Sequence, residues 1–474
     1  MSFVFYDTET TGSDTFYDQI LQFAAIKTDD FLNEIDRFEI RCCIQPHILP
    51  APGALIITGV SLDQLSDPTL PSHYEMASVI HEKLSEWSPA VFAGYNSLEF
   101  DEDLLRQAFY QSLLNPYLTN TNGNSRLDIM RLALAVHEFE PGHLEVPRRD
   151  DGAITFKLDR LAPANGFLHP NAHDAMADVE ATIFLAKLAK ERVPWIWEHF
   201  LKMGQKAEAV RNAQGTPVRL YTEFRYNKPN HWLVSAIAVD PENSGSIIAF
   251  NLAHDPAELL SVSEDSLKKW AASKPKPLRT IKANSSPILL DMEMARNRAD
   301  LMKIGEPEIL RRAQLLQGSP ELRHRLLRAY VETREVYEQS PWLEEQIYRG
   351  FPGARDAVLM RDFHRSSWPG RVEIAEQFQD DRYRKIARRV VFNHRPDLLG
   401  HETQKAFSEA IARRWLTEGK TRWLTIEKAL AEIEERREGS SYEESVVLEG
   451  LEAFFLDKKA WANDQVEKRT PLVE

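Results

Sequence analysis

The chain has 474 residues, more than one hydrophobic core usually organises, so we expect roughly two to four domains. Its 43% hydrophobic content is typical of a globular protein, and no apolar run approaches the roughly 20 residues that span a bilayer, so no membrane segment is expected. The net charge of −14 argues against a surface that binds nucleic acid everywhere, although basic stretches at 274–282 and 311–328 allow a local anion-binding groove.

Strands and helices alternate through the first 190 residues, which predicts a mixed α/β domain. Strands are expected at 3–7, 20–27, 37–44 and 90–95, and helices at 74–87, 101–113, 128–137, 158–162 and 175–192. The only cysteines, Cys42 and Cys43, are adjacent in the third strand, so a bond between them would be strained. Because two thiols suit a reducing compartment and the N-terminus lacks a signal-peptide pattern, we expect a cytoplasmic protein.

The pattern changes after residue 195. A helix at 196–210 precedes strands at 218–224, 232–239, 246–252, 279–282 and 288–290, so a small β-rich domain is expected here. Ser319 and Pro320 then mark the start of a helix. From residue 346 onward apolar residues recur at helical spacing, which predicts an all-helical region with helices at 382–391, 404–416 and 423–438.

Two carboxylates follow the first apolar run. Asp7 and Glu9 are two residues apart on a predicted strand, so their side chains point to the same face. Like charges placed this close repel each other unless a cation lies between them. Carboxylate oxygens are the ligands that hard divalent cations prefer. Taken alone, such a pair is more often a solvated strand end than a metal site.

Four further residues can join this pair. Asp101 opens a helix after an apolar strand, where an isolated Asp would ordinarily be a cap. Asp178 lies in the first turns of the helix at 175–192, and His173 precedes that helix, where it could shuttle a proton. Lys157 could hold a phosphate, or be an ordinary surface lysine. Together the four carboxylates could hold two cations about 4 Å apart, the arrangement that clamps a phosphodiester during in-line displacement.

The order D-x-E, then D, then H-x4-D resembles the DEDDh exonuclease superfamily, whose members remove nucleotides from 3′ ends. All five positions match that pattern, so the resemblance implies metal ligation by Asp7, Glu9, Asp101 and Asp178 and a general base at His173. The longer segments resemble the bacterial exonuclease I family, and they are 22–27 (QFAAIK), 52–59 (PGALIITG), 94–101 (GYNSLEFD), 164–166 (ANG), 171–178 (NAHDAMAD) and 348–351 (YRGF).

The resemblance to exonuclease I covers essentially the whole chain. It implies a ribonuclease-H-like exonuclease domain with a mixed sheet at 1–193, an SH3-like β-rich domain lining a DNA channel at 194–345, and an all-helical C-terminal domain at 346–474. It also implies processive 3′→5′ degradation of single-stranded DNA to 5′-mononucleotides, with a role in DNA repair and recombination. Two Mg²⁺ ions, with Mn²⁺ as a substitute, and the acidic C-terminal tail of single-stranded DNA-binding protein are the implied cofactors and partner.

Cations that track phosphates and aromatic rings that stack on bases are what a single strand requires. The predicted contacts are Arg106, Tyr117, Arg126, Arg131, Lys157 and Lys206. By resemblance, Glu9, Thr58 and Gly59 lie near the terminal nucleotide, and either Leu55 or Ile57 could wedge against its base.

Two alternatives stay open. One is an RNA-directed DEDDh exonuclease of the ribonuclease T or oligoribonuclease kind, although those chains are generally single domains. The other is a non-catalytic single-strand-binding scaffold, which the presence of all five acid and histidine positions disfavours. We expect a monomer, because no long heptad pattern is present.

Overall fold

A five-stranded mixed sheet forms the centre of the N-terminal region. The structure is a computed structural model, and it describes residues 1–168, 174–335 and 338–467. The sheet runs in the order β3-β2-β1-β4-β5, with β1 antiparallel to β2 and parallel to β4. Its strands are β1 (Phe3–Thr10), β2 (Ile20–Thr28), β3 (Glu34–Arg41), β4 (Val91–Gly94) and β5 (Ser125–Asp128).

Helices cover both faces of this sheet. They are α1 (Pro52–Thr58), α2 (Leu62–Ser66), α3 (His73–Trp87), α4 (Asp101–Gln111), α5 (Ile129–Phe139), α6 (Leu158–Ala164) and α7 (Ala175–Arg192). Because side chains alternate along a strand, Phe3 and Phe5 of β1 belong to the core cluster that includes α5 and α7. Val4 and Tyr6 belong to the cluster with α3 and α4. The odd-numbered positions of β1 therefore face α7.

The middle of the chain forms a second, antiparallel sheet in the order β10-β6-β7-β8-β9. Its strands are β6 (Arg219–Arg225), β7 (Lys228–Val239), β8 (Ser246–Asn251), β9 (Leu278–Lys282) and β10 (Ile288–Asp291). The helices of this region are α8 (Pro194–Met203), α9 (Lys206–Gly215), α10 (Glu264–Ala271), α11 (Ala299–Met302), α12 (Glu306–Gln317) and α13 (Pro320–Glu332).

The C-terminal region is helical throughout its described residues. Its helices are α14 (Ala354–Arg365), α15 (Trp368–Ala375), α16 (Asp381–His394), α17 (His401–Trp415), α18 (Ile426–Arg437) and α19 (Tyr442–Glu467). They pack against the first region, since Leu21 of β2 and Leu55 of α1 share one core cluster with Ile433 and Phe455. Within the described residues, no helix combines the length and apolar character that crossing a bilayer requires.

The predicted mixed sheet, β-rich middle and helical C-terminal region are confirmed. Some elements differ from the prediction. The third strand ends at Arg41, so Cys42 and Cys43 lie beyond it rather than within it. The helix expected at 196–210 is two helices, α8 and α9. The first helix ends before Gly204, where a Cβ would lie 2.7 Å from the backbone oxygen of Arg126. The short β5 and the helices α1 and α2 were not predicted. Cys42 and Cys43 are both free thiols, as expected.

Candidate active site

Three carboxylates meet where β1 faces α7. Asp7 and Glu9 continue the odd-numbered face of β1. Asp178 lies on the first turns of α7, whose buried residues Ala175 and Ala181 pack toward the sheet. One carboxylate oxygen from each of Asp7, Glu9 and Asp178 lies within 4.8 Å of the others. An oxygen-only donor set at this spacing fits a hard divalent cation.

Asp101, the fourth predicted carboxylate, is the first residue of α4, and Phe100 rather than Asp101 occupies the N-cap position. Its Oδ1 atom accepts a hydrogen bond of 2.6 Å from the Thr8 hydroxyl of β1. The residue is only 4% exposed. Thr8 was not singled out from the sequence, and the signal that could have found it is its position between Asp7 and Glu9.

Burial and mutual repulsion hold these carboxyl groups away from their charged forms. Burial, followed by the charges of Asp101, Asp178 and Glu9, raises the pKa of Asp7 well above its usual range. Burial and the charges of Asp178, Asp101 and Asp174 raise the pKa of Glu9 to about 9, against a smaller opposing effect from Arg41.

Burial also raises the pKa of Asp101 to about 7, although the Thr8 hydrogen bond opposes the shift. Glu9 therefore favours its protonated form near neutral pH until a cation offsets its charge, and the pKa values of Asp7 and Asp101 are shifted in the same direction.

His173, the predicted base, lies outside the described residues. The next residue, Asp174, caps α7, since its Oδ1 atom accepts a hydrogen bond of 3.3 Å from the Ala177 backbone amide. Its Oδ2 atom accepts hydrogen bonds of 3.2 Å from Gln22 and from Arg41. Gln22 and Arg41 were not identified from the sequence, because only strand pairing brings them beside α7.

Lys157 is exposed at the N-cap position of α6. The hydroxyl of Tyr95, which directly follows β4, donates to the backbone oxygen of Phe156. Since β1 and β4 are parallel, this bond holds the segment with Lys157 near the carboxyl-terminal ends of these strands, where Asp7 and Glu9 also lie.

Two of the predicted DNA contacts are engaged inside the protein. Arg106 and Arg126 both pair with the buried Glu102, at 3.0 Å and 2.8 Å, and Arg126 also donates to the backbone oxygen of Asn284. The Arg126 side chain is only 6% exposed. The Tyr117 ring packs against Phe351, with the Arg106 guanidinium beside it.

The remaining basic candidates lie nearer solvent. Arg131 pairs with the exposed Glu99 at 2.6 Å and donates to the backbone oxygen of Ser285. It also lines a cavity of about 620 Å³ between α5 and the second sheet. Lys206 is bonded to the hydroxyl of Ser244 on the surface. These two side chains can approach an anionic ligand without breaking a buried ion pair.

The end of α1 separates the two wedge candidates. Leu55 is 2% exposed and lies in the core shared with the C-terminal helices, whereas Ile57 is 54% exposed. Thr58 accepts a bond from the Val60 amide, and Gly59 ends α1 with a φ of 66°, in the left-handed region that favours glycine.

Family models match three consecutive parts of the chain. The exonuclease model matches residues 4–186, the exonuclease I SH3-like domain matches 205–332, and the exonuclease I C-terminal domain matches 342–457. Exodeoxyribonuclease I of Escherichia coli K12 is 30% identical over 427 residues, which cover 86% of this chain and 88% of that protein. The corresponding Haemophilus influenzae protein is 31% identical and covers 74% and 77% of the two chains.

Solved structures agree over nearly the full length. E. coli exonuclease I in complex with a dA16 oligonucleotide superposes with a TM-score of 0.81 at 26% identity, covering 96% of this chain and 99% of that one. Exonuclease I from Methylocaldum szegediense gives a TM-score of 0.80 at 26% identity and covers 98% and 99%. Other E. coli structures include a zinc-bound complex with single-stranded DNA and a complex described as SSB/exonuclease I with the inhibitor CFAM. The three-part fold predicted from the sequence is therefore confirmed.

Proposed function

The chain belongs to the exodeoxyribonuclease I family, and from this we propose how its residues carry out 3′→5′ hydrolysis of single-stranded DNA. The observation that carries the proposal is the meeting of Asp7, Glu9 and Asp178 within 4.8 Å. The fourth carboxylate, Asp101, completes the set beside Thr8. The reaction is processive and releases 5′-mononucleotides, and it serves DNA repair and recombination.

We propose that these four carboxylates hold two Mg²⁺ ions, with Mn²⁺ able to substitute. A zinc-bound relative supports dependence on a divalent cation. The bound ions would supply Lewis acidity, which stabilises charge on the phosphate and on the leaving oxygen. The carboxylates are suited to this because burial and repulsion make each a poor place for an uncompensated charge.

The protein's own groups would then orient the phosphodiester and move the proton. The resemblance of the H-x4-D pattern assigns the general base to His173, which directly precedes Asp174 in the sequence. In the proposed step His173 takes the proton of the attacking water, and the water oxygen forms a bond to phosphorus. The bond from phosphorus to the 3′ oxygen of the preceding nucleotide breaks, and that oxygen takes a proton from solvent water. The hydrogen bond from Thr8 to Asp101 keeps the start of α4 beside β1 while the geometry at phosphorus changes during the reaction.

The single-stranded DNA would be held by side chains around the carboxylate site. We propose that Lys157 and Arg131 contact phosphates, with Lys206 acting farther along the second domain. Tyr117 offers a ring for stacking, and Thr58 and Gly59 border the terminal nucleotide, with the exposed Ile57 as the wedge in preference to the buried Leu55. Arg106 and Arg126 are left out of the proposed DNA surface, because contact with DNA would take them from Glu102.

The partners and organisation follow from the same relatives. We propose that the acidic C-terminal tail of single-stranded DNA-binding protein docks on this protein, as the SSB/exonuclease I complex suggests. We further propose a monomer working in the bacterial cytoplasm, with domains at 1–193, 194–345 and 346–474.

The test is digestion of matched oligonucleotides of single-stranded DNA and RNA, labelled at either end, with Mg²⁺ and with a chelator. We expect a 3′-labelled DNA to lose its label first as a mononucleotide, a 5′-labelled DNA to shorten, and the RNA to persist. Asp7→Asn is the inactive control. Degradation of RNA at an equal rate would favour the RNA-directed alternative, and full activity of Asp7→Asn would remove the assignment of the site.

A further inference from the structure

We propose that Gln22, Arg41 and Asp174 act together as positioning residues, which we name the α7 clamp. The clamp fixes the start of α7 on the sheet and so sets the distance of Asp178 from Asp7 and Glu9. This inference rests on the proposed function of the carboxylate site. It extends that function to three side chains that are not among the proposed metal ligands.

Strand register places two of these residues in line with the site. Glu9 of β1 pairs with Gln22 of β2, and Gln22 pairs with Arg41 of β3. Directly paired residues of neighbouring strands point to the same face of a sheet. Glu9, Gln22 and Arg41 therefore form one row across the sheet, on the face that α7 covers, and the row leads from the carboxylates to the sheet edge.

Asp174, at the start of α7, contacts this row from the helix that covers the sheet. Its Oδ2 atom accepts hydrogen bonds of 3.2 Å from the Gln22 amide and of 3.2 Å from the Arg41 guanidinium. The same two donors also bond the Glu39 carboxylate, at 3.0 Å and 3.3 Å. Gln22 is 1% exposed, so its amide is held by these acceptors in a site that water does not reach freely. Breaking the set would leave a buried polar group without its partner.

The other oxygen of Asp174 joins the clamp to the helix. It accepts the Ala177 amide, while the Asp174 backbone oxygen accepts the Asp178 amide at 3.0 Å. A carboxylate at the N-terminus of a helix also interacts favourably with the helix dipole. Asp178 is thus one helical turn from a residue bonded to the sheet on two sides, and a shift of about 1 Å in a catalytic site can cost about 100-fold in rate.

The chain provides a matched control in Arg37. Like Arg41 it lies on β3 and links that strand to α7, here through Glu180 at 3.2 Å. Both side chains of that pair are about half exposed, at 49% and 44%, and Glu180 lies beyond Asp178 in the helix. Loss of Arg37 therefore removes a cation and a strand-to-helix link of the same kind without releasing the start of α7.

The experiment compares Arg41→Ala, Arg41→Lys, Asp174→Asn and Arg37→Ala in the full chain. Mn²⁺ binding is measured by electron paramagnetic resonance, and kcat and KM are measured on single-stranded DNA. Loss of a side chain that supports metal ligands typically costs about 10–100-fold in metal affinity or activity. We expect Arg41→Ala to lose that much in Mn²⁺ affinity and kcat, with KM for DNA changed by less than about twofold. Arg41→Lys should recover part of the loss.

Asp174→Asn separates capping from clamping, because Asn retains an oxygen for the Ala177 amide but loses the ion pair with Arg41. We expect it to resemble Arg41→Ala, and Arg37→Ala to resemble the wild type. The clamp is refuted if Arg41→Ala and Asp174→Asn, with unchanged thermal unfolding, keep wild-type Mn²⁺ affinity and kcat. A higher KM for DNA with unchanged Mn²⁺ affinity and unchanged kcat also refutes it. Asp7→Asn, which lies outside the clamp, tests the proposed function separately.

Discussion

Replacing Glu9 with Gln should stabilise the metal-free protein at alkaline pH while it removes activity. Burial and neighbouring carboxylates raise the pKa of Glu9 from 4.5 to about 9. Between those values the folded state binds a proton that the unfolded state has released, so stability falls as pH rises. One such proton changes the free energy of unfolding by about 1.4 kcal/mol per pH unit.

A pH of 8 lies about 3.5 units above the unfolded-state pKa of Glu9. Glu9 can therefore lower the free energy of unfolding at this pH by at most about 5 kcal/mol. Relaxation and water entry reduce such penalties, so we expect Glu9→Gln to gain about 2 kcal/mol over the wild type in a chelator. For a domain of this size, that corresponds to a melting temperature higher by about 4–8 °C. At pH 5.5, which is only about one pH unit above the unfolded-state pKa of Glu9, the gain should shrink below about 1 kcal/mol.

The assay is differential scanning calorimetry of both proteins between pH 5.5 and 8.5, first with a chelator and then with Mg²⁺. Added Mg²⁺ should reverse the order, since an ion at 100 times its dissociation constant stabilises the wild type by about 2.7 kcal/mol. Glu82→Gln, an exposed change on α3, is the control and should melt like the wild type at every pH. A chelated Glu9→Gln protein that melts at or below the wild type at pH 8.5 would refute the reasoning.

Further predictions concern the site, its support and the DNA surface. Asp7→Asn should lower hydrolysis at least about 1000-fold with unchanged circular dichroism, because it removes a proposed metal ligand but no core contact. Glu102→Ala should cost about 3–5 kcal/mol in urea unfolding, since two guanidinium groups lose the buried carboxylate that pairs with them; a loss below 1 kcal/mol would contradict this. Gly94→Ala should destabilise by about 1–3 kcal/mol in the same assay, because its Cβ would lie 2.8 Å from a backbone oxygen of β1. Arg131→Ala should lower the slope of log affinity for single-stranded DNA against log salt by about one, and an unchanged slope in fluorescence anisotropy would remove Arg131 from the DNA surface.

Local patterns predicted most elements because strand and helix periods repeat over a few residues. Alternation along the first strand was enough to place Asp7 and Glu9 on one face, and the helix predicted at 175–192 matches α7. The four-residue β5 was missed because its sequence, SRLD, has no strong strand pattern. It becomes a strand through its pairing with β4, which lies about thirty residues earlier.

The predicted DNA contacts show the limit of sequence reasoning most clearly. Arg126 and Arg131 are both basic, and the sequence does not distinguish them. The structure pairs Arg126 with the buried Glu102 and leaves Arg131 beside a cavity with an exposed partner. Likewise Leu55 and Ile57 are both apolar, and only packing against the C-terminal helices buries the first and leaves the second exposed.

The sequence by itself determined which carboxylates are available, their order and the face of β1 that carries two of them, because backbone geometry sets those relations locally. Only the tertiary structure decided that Asp178 meets that pair, that Thr8 holds Asp101, and that Arg41 reaches Asp174 from 133 positions away. Burial and charge pairing depend on such distant contacts. They also decide which acids lie close enough to share a cation and which basic side chains stay near solvent.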